Sequence, residues 1–278
     1  MICAREDRSG VEKNSSRCED AMFIAMELGE HILRSGGEVS RAEDTVSRIC
    51  RAYGAKSVDV TAILSVIVLT VDFGEVSLNS SRRITEIGSH NLGRLSRLND
   101  LSRRICRTLP SKADFLRELD TIDEETRVGI VKYLVGAILA ASGFAVFFGG
   151  SLLDGLFAGL IALPMCFLVR LLARTRINGV IAKLIVCFFG GMAAMLVGRS
   201  GIPCDPNMIM IGDIMNVVPG VLLANSFRDL FDGDIMSGFF RLFTALLDGV
   251  FIACGYALAI LLFGGAVGEK KFCGYWWC

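Results

Sequence analysis

Apolar and polar positions follow three different patterns along this chain, and each pattern predicts a different kind of element. From Ala21 to Leu33 apolar residues recur at helical spacing (Met22, Ile24, Ala25, Leu28, Ile32, Leu33) up to Ser35-Gly36-Gly37, which reads as a helix stop. Ser40 with Glu43 three residues on is a capping-box pattern, and Ala42, Val46, Ile49, Cys50 and Tyr53 carry a second amphipathic helix to Gly54. At Lys56 the period changes. Val58, Val60 and Ala62 alternate with polar positions, Ser65 to Val71 is rich in β-branched residues, and Asp72-Phe73-Gly74-Glu75 turns into Val76-Ser77-Leu78, so two or three strands including a hairpin are predicted. Leu92, Leu95, Leu98, Leu101 and Ile105 mark a third helix, a short one follows from Lys112 to Leu119, and Asp120 to Glu125 form an acidic linker.

The pattern then becomes nearly continuous. Five apolar stretches lie at about 129–149, 152–169, 178–198, 207–226 and 239–263, each near the roughly 20 residues that cross a bilayer core of about 30 Å. The predicted fold is therefore an α-helical integral membrane protein with about five transmembrane helices, preceded by a small cytosolic α/β domain. Its expected parts are a flexible N-terminal tail (1–20), the α/β domain (21–126), the membrane domain (127–265) and a C-terminal tail (266–278). Gly155-x-x-x-Gly159 and Gly190-Gly191-x-x-Ala194 permit close helix contacts.

Charge sharpens this division. Residues 1–125 carry 39 of the 58 acidic and basic side chains, which separates a soluble part from a membrane part. The net charge of zero gives no reason to expect nucleic acid as a partner. Arg127, Lys132, Arg170, Arg174, Arg176, Arg228 and Arg241 fall at one set of helix ends, against Arg199, Lys270 and Lys271 at the other. The positive-inside rule then predicts a cytoplasmic N-terminus and an external C-terminus, with Tyr275, Trp276 and Trp277 as an interfacial anchor or a free tail. Arg94, Arg97, Arg103, Arg104 and Arg107 make one face of the third helix basic: a solvated face, or one that meets anionic headgroups or a partner subunit.

The ten cysteines include no Cys-x-x-Cys pair, and Cys166, Cys187 and Cys254 sit inside apolar runs, so they read as reduced core residues. With only His31 and His90 present, a His/Cys metal site has no support; no metal, cofactor or catalytic residue is assigned. Phosphate-binding glycine loops, zinc-protease helices and nucleophile elbows are missing from the sequence. Ser89-His90-Asn91 reads as a helix cap.

Ionisable groups inside a membrane are costly and mark function by default. The candidates are Lys183 in the third stretch, Asp213 with Asn216 in the fourth, and Asp248 in the fifth. Lys183 also reads as a side chain that reaches the interface. Asp248 pairs with Arg241, two turns earlier, or couples protons. Pro219-Gly220 interrupts the fourth stretch: Pro219 frees a carbonyl one turn earlier and Gly220 allows close approach to the backbone.

Several blocks carry a family resemblance. They are Gly36-Gly37-Glu38-Val39-Ser40-Arg41-Ala42-Glu43-Asp44-Thr45, then Asn91-Leu92-Gly93-Arg94-Leu95-Ser96-Arg97-Leu98-Asn99-Asp100-Leu101-Ser102-Arg103-Arg104, and in the membrane part Val218-Pro219-Gly220, Asn225, Arg228-Asp229-Leu230, Gly233-Asp234 and Ser237-Gly238-x-x-Arg241. In these, from about Ala21 to Leu262, the chain resembles the threonine/serine exporter family (ThrE-like), in its shorter YjjP-type split form. The resemblance implies export of small hydrophilic metabolites across the bacterial inner membrane: threonine and serine, or a dicarboxylate such as succinate. It also implies proton coupling and a homo- or hetero-oligomer with a second, five-span membrane protein. Gly36-Gly37-Glu38 stands where the family pattern has Gly-Ala-Glu.

On this reading the solute sits at the break, with Asn216, Pro219, Gly220 and Asn225 in contact, Arg228 and Arg241 attracting an anion at the cytosolic mouth, and Asp213 or Asp248 exchanging protons. Two rivals stand beside it: a membrane-anchored hydrolase-like domain with Glu38, Arg41, Glu43 and His90 in one cleft, and a regulatory or scaffolding subunit whose partner carries the pore.

Overall fold

The computed structural model describes the backbone of residues 3–74, 76–84, 91–175 and 177–264, with side chains from residue 16 onward. The chain divides into two compact units, Met1–Arg127 with Val221–Leu242, and Val128–Gly220 with Phe243–Cys278. Three sequence readings, His90, the basic residues Arg176, Lys270 and Lys271, and the aromatic tail Tyr275 to Trp277, lie outside the described residues.

In the first unit α1 (Cys3–Arg34) begins within the stretch expected as a flexible tail, and α2 (Val39–Ala52) follows a tight corner. Both glycines of that corner have a physical reason. Gly36 has φ 83°, in the left-handed region that favours glycine, and a Cβ on Gly37 would lie 2.6 Å from Ile32 Cγ2. The expected Ser40–Glu43 capping box does not form. The N-cap of α2 is Glu38, which makes no capping hydrogen bond itself, while Glu43 Oε1 accepts the Ala62 amide at 2.6 Å and Ser40 Oγ donates to Asp232 at 3.3 Å. Helix geometry places both side chains toward neighbouring elements and leaves the cap to other residues.

Strands β1 (Ser57–Ile63), β2 (Val66–Asp72) and β3 (Ser77–Arg83) form an antiparallel sheet in that order. Period-2 alternation sets the buried face: Ile67, Leu69 and Val71 of the central strand are fully buried. Helices α3 (Leu92–Thr108) and α4 (Lys112–Glu125) complete the core, to which Leu98, Leu101, Ile105, Phe115 and Leu119 contribute. Asn91 caps α3 by accepting the Arg94 amide at 3.0 Å. The basic face of α3 is largely neutralised, since Arg94, Arg97, Arg103 and Arg104 pair with Asp123, Glu125, Asp100 and Glu118.

The second unit holds α5 (Ile130–Phe147), α6 (Leu152–Ala173), α7 (Gly179–Arg199) and α8 (Pro206–Ile214). Helix α9 (Gly220–Phe231) lies almost wholly in the first unit, and α10 (Ile235–Phe263) contributes its first turns to the first unit and the remainder to the second. Small residues let these apolar helices approach. A Cβ on Gly155 would meet Val146 Cγ2 at 2.8 Å, and one on Gly191 would meet Ala259 Cβ at 2.8 Å. Ser151 and Asp154 form a reciprocal capping box at the start of α6.

Among the described residues four helices are long and apolar enough to cross a membrane: α5, α6, α7 and α10. Four of the five expected apolar stretches thus form helices of spanning length. The fourth apolar stretch is divided into α8 and α9, each too short to span, because Pro219 cannot continue the hydrogen-bond ladder.

Candidate functional site

The broken segment of the second unit is positioned from both ends. At its start Asp205 caps α8 by accepting the Asn207 amide at 2.9 Å, and its own amide donates to Asp154 Oδ1 at 2.7 Å, which ties α8 to the head of α6. At its end the Asn216 amide donates to the Asp213 carbonyl at 3.1 Å and the Val218 amide to the Ile214 carbonyl at 3.0 Å, after which Pro219 has no proton to give. Asn216 is thereby presented sideways, and its Nδ2 donates to the Ala137 carbonyl of α5 at 3.1 Å. Beside it opens a groove of about 290 Å³ lined by Lys132, Tyr133, Gly136, Ala137 and Asn216. A Cβ on Gly220, which follows the break, would meet nothing within 4 Å, so the backbone there is open to approach.

Asp213 is fully buried, and neither carboxyl oxygen has a hydrogen-bond partner among the described residues. It lies within electrostatic reach of Tyr256 and Cys187, and the Tyr256 hydroxyl is also without a partner. Its neighbour Gly212 packs on α5: a Cβ there would stand 2.8 Å from Ala145 Cβ. Asp248, by contrast, is paired with Lys183, and Arg241 is paired with Asp229. The Asp248–Arg241 pair suggested by heptad spacing is therefore replaced by two others, and Lys183 is held within the protein. Sequence spacing within one helix cannot reveal a partner 65 residues away.

The remaining site residues meet in the first unit, around the corner between α1 and α2. Asn225 Nδ2 donates to the Gly36 carbonyl at 2.8 Å, an Arg241 guanidinium nitrogen to the Gly37 carbonyl at 2.7 Å, and Arg228 to Glu38 Oε1 at 2.6 Å. The Asp229 carboxylate faces the Val39 amide and the Asp234 carboxylate faces the Ser40 amide. These two carboxylates, from α9 and its following turn, lie within electrostatic reach of the first amides of α2 without an aligned hydrogen bond, at a helix end whose orphan amides and dipole favour negative charge. The Arg241 Nε lies 3.0 Å from Asp229 Oδ2, as an ion pair outside hydrogen-bond alignment, with the two side chains 2% and 0% exposed. Burial pushes the Glu43 carboxyl above its ordinary value, against the pull of the Ala62 amide.

Asn216, Pro219 and Gly220 therefore belong to the second unit, and Asn225, Arg228 and Arg241 to the first. Two acids that carry the corner, Asp229 and Asp234, stand in the sequence blocks but had no role there. Their signal was co-occurrence with Gly36 to Ser40, without any pattern that pairs the two. Glu38 and Glu43 are engaged separately, by Arg228 and by the Ala62 amide.

The blocks gathered at the corner and the break belong to one recognisable set. A family model described as "Putative threonine/serine exporter" (ThrE) matches residues 23–263, most of the chain. The chain belongs to the threonine/serine exporter family. Within that family it is 24% identical, over 257 residues, to the threonine/serine exporter of Corynebacterium glutamicum. That alignment covers 89% of this chain and 52% of the relative, so the chain spans about half the length of the relative it matches. No solved structure matches. Family membership and the four apolar helices make this a multi-pass membrane protein of an exporter family.

Proposed function

We propose that this chain is one subunit of a secondary exporter that moves small hydrophilic metabolites, threonine and serine or a dicarboxylate such as succinate, across the bacterial inner membrane. The observation that carries the proposal is the break after α8, where Asn216 lines a groove and Asp213, three residues earlier, is fully buried with no hydrogen-bond partner among the described residues. Irregular backbone at membrane depth persists where it lines a cavity, and buried carboxyls there mark proton or solute paths.

In this mechanism the solute binds at Asn216, Pro219 and Gly220, and Asp213 gains and loses the coupling proton. Asp248, held by Lys183, is the second candidate for that role. Arg228, 60% exposed, attracts an anionic solute at the cytosolic mouth. Asn225 and Arg241 act through the Gly36-Gly37 corner they hold. The basic residues Arg127, Lys132, Arg170 and Arg174 favour a cytoplasmic N-terminus. A second small membrane subunit completes the exporter in this reading.

The test is efflux of labelled serine, threonine and succinate from preloaded cells that carry this chain alone or with its candidate five-span partner. Efflux only in the joint case is the expected result. No efflux of any of the three in either case, with both proteins confirmed in the membrane, refutes the proposal.

A further inference from the structure

The groove beside the break has an asymmetry of charge. None of its five lining residues is acidic. Tyr133 forms one wall: the Arg170 guanidinium sits 4.5 Å from its ring centroid, a cation–π arrangement. Asn216 is anchored by its bond to the Ala137 carbonyl, which fixes the direction of its amide oxygen. Gly136 leaves open space where a side chain would stand, so a small molecule can reach the α5 backbone.

Lys132 differs from Lys183, Arg228 and Arg241, the basic residues at the other candidate sites. Lys183, Arg228 and Arg241 each have a carboxylate partner, whereas Lys132 has none among the described residues. Its ammonium lines the groove beside a fixed amide. Roughly ten water volumes fit in about 290 Å³, room for a solute of a few carbon atoms with some of its hydration.

We infer that this groove is the carboxylate subsite for the transported solute, with Lys132 as the counter-ion and the Asn216 side chain as the second polar contact. The inference rests on the exporter reading and adds Lys132 and the Tyr133 wall to it. A lipid phosphate would also pair with an ammonium, and the two sources separate kinetically. A solute counter-ion sets apparent affinity, whereas a headgroup anchor sets the amount of working protein.

Efflux of labelled serine, threonine and succinate is measured against internal concentration for the full chain with its second subunit, in wild type, K132Q and K132R. In K132Q the half-saturating concentration should rise about tenfold or more, with the maximal rate within about twofold, as expected for loss of one charge-assisted contact. K132R should remain within about threefold of wild type, since the charge is kept. An unchanged half-saturating concentration in K132Q, or a fall in maximal rate alone, overturns the inference and leaves the exporter reading intact. A wild type that transports none of the three solutes overturns both.

Discussion

Replacing Arg241 with Met should destabilise the first unit more than any surface charge change, by an amount set by what the guanidinium now satisfies. Arg241 is 2% exposed, its Nε pairs with fully buried Asp229 at 3.0 Å, and another of its nitrogens donates to the Gly37 carbonyl at 2.7 Å. Removing one partner of a buried ion pair costs about 3–5 kcal/mol, because the other charge stays buried. The lost bond to Gly37 falls within the same figure, since both interactions end with the same group. At about 2–4 °C per kcal/mol for a unit of this size, melting should fall by roughly 6–20 °C. The double variant D229L/R241M removes both charges and should recover at least half of that loss. Thermal unfolding of the full chain in detergent, followed by circular dichroism, gives the melting temperatures. Hydrogen exchange at the first turn of α2 reports whether the loss is local to the corner. An R241M protein that melts within about 2 °C of wild type would refute the reasoning, and so would a double variant as unstable as the single.

Three other outcomes follow from the geometry. D213N should abolish proton-coupled efflux with normal amounts of protein in the membrane, and unchanged coupled efflux removes Asp213 from the mechanism. G212V should cost about 1–3 kcal/mol by overpacking α8 against Ala145; a melting temperature equal to wild type would show that the two helices can separate freely. The Glu27 carboxyl is held at about 2, below its ordinary 4.5, chiefly by its hydrogen bond with His31 and further by Arg82, with burial opposing. Its folded value lies below the unfolded one, so the stabilisation is complete above about 4.5 and is lost as pH falls toward about 2. E27Q should therefore flatten the acid limb of melting temperature against pH, and an equally steep limb in the variant contradicts the assignment.

Local pattern carried most of the helices and the sheet. The stripe from Ala42 to Cys50 names residues that are buried in the structure, because amphipathic periodicity directly encodes which side faces a core, whereas the β-branched run from Ser65 to Val71 marked a strand without showing that Ile67, Leu69 and Val71 are its buried face. The helix break was legible for the same reason, since Pro219 acts on its own backbone. What spacing could not supply were the partners. Ser40 and Glu43 match a capping box, yet their bonds go to Asp232 and Ala62. Apolar length likewise could not show that the fourth stretch is two helices, because hydropathy treats α8 and α9 as one stretch while Pro219 divides them. The basic stripe of α3 reads as a surface for anions only until its acidic neighbours on α4 are known.

The corner between α1 and α2 also fixes when the first unit can be finished. Gly36 and Glu38 are held by Asn225 and Arg228, 189 and 190 residues later in the chain. At about 5–20 residues per second of synthesis, roughly 10–40 s separate the emergence of α2 from that of its partners. During that interval the whole of Val128–Gly220 is made, and the Gly36 carbonyl and the Glu38 carboxylate wait without these partners. A fragment ending at Arg127 would lack these partners indefinitely, so the first unit is complete only after Val128–Gly220 has been made.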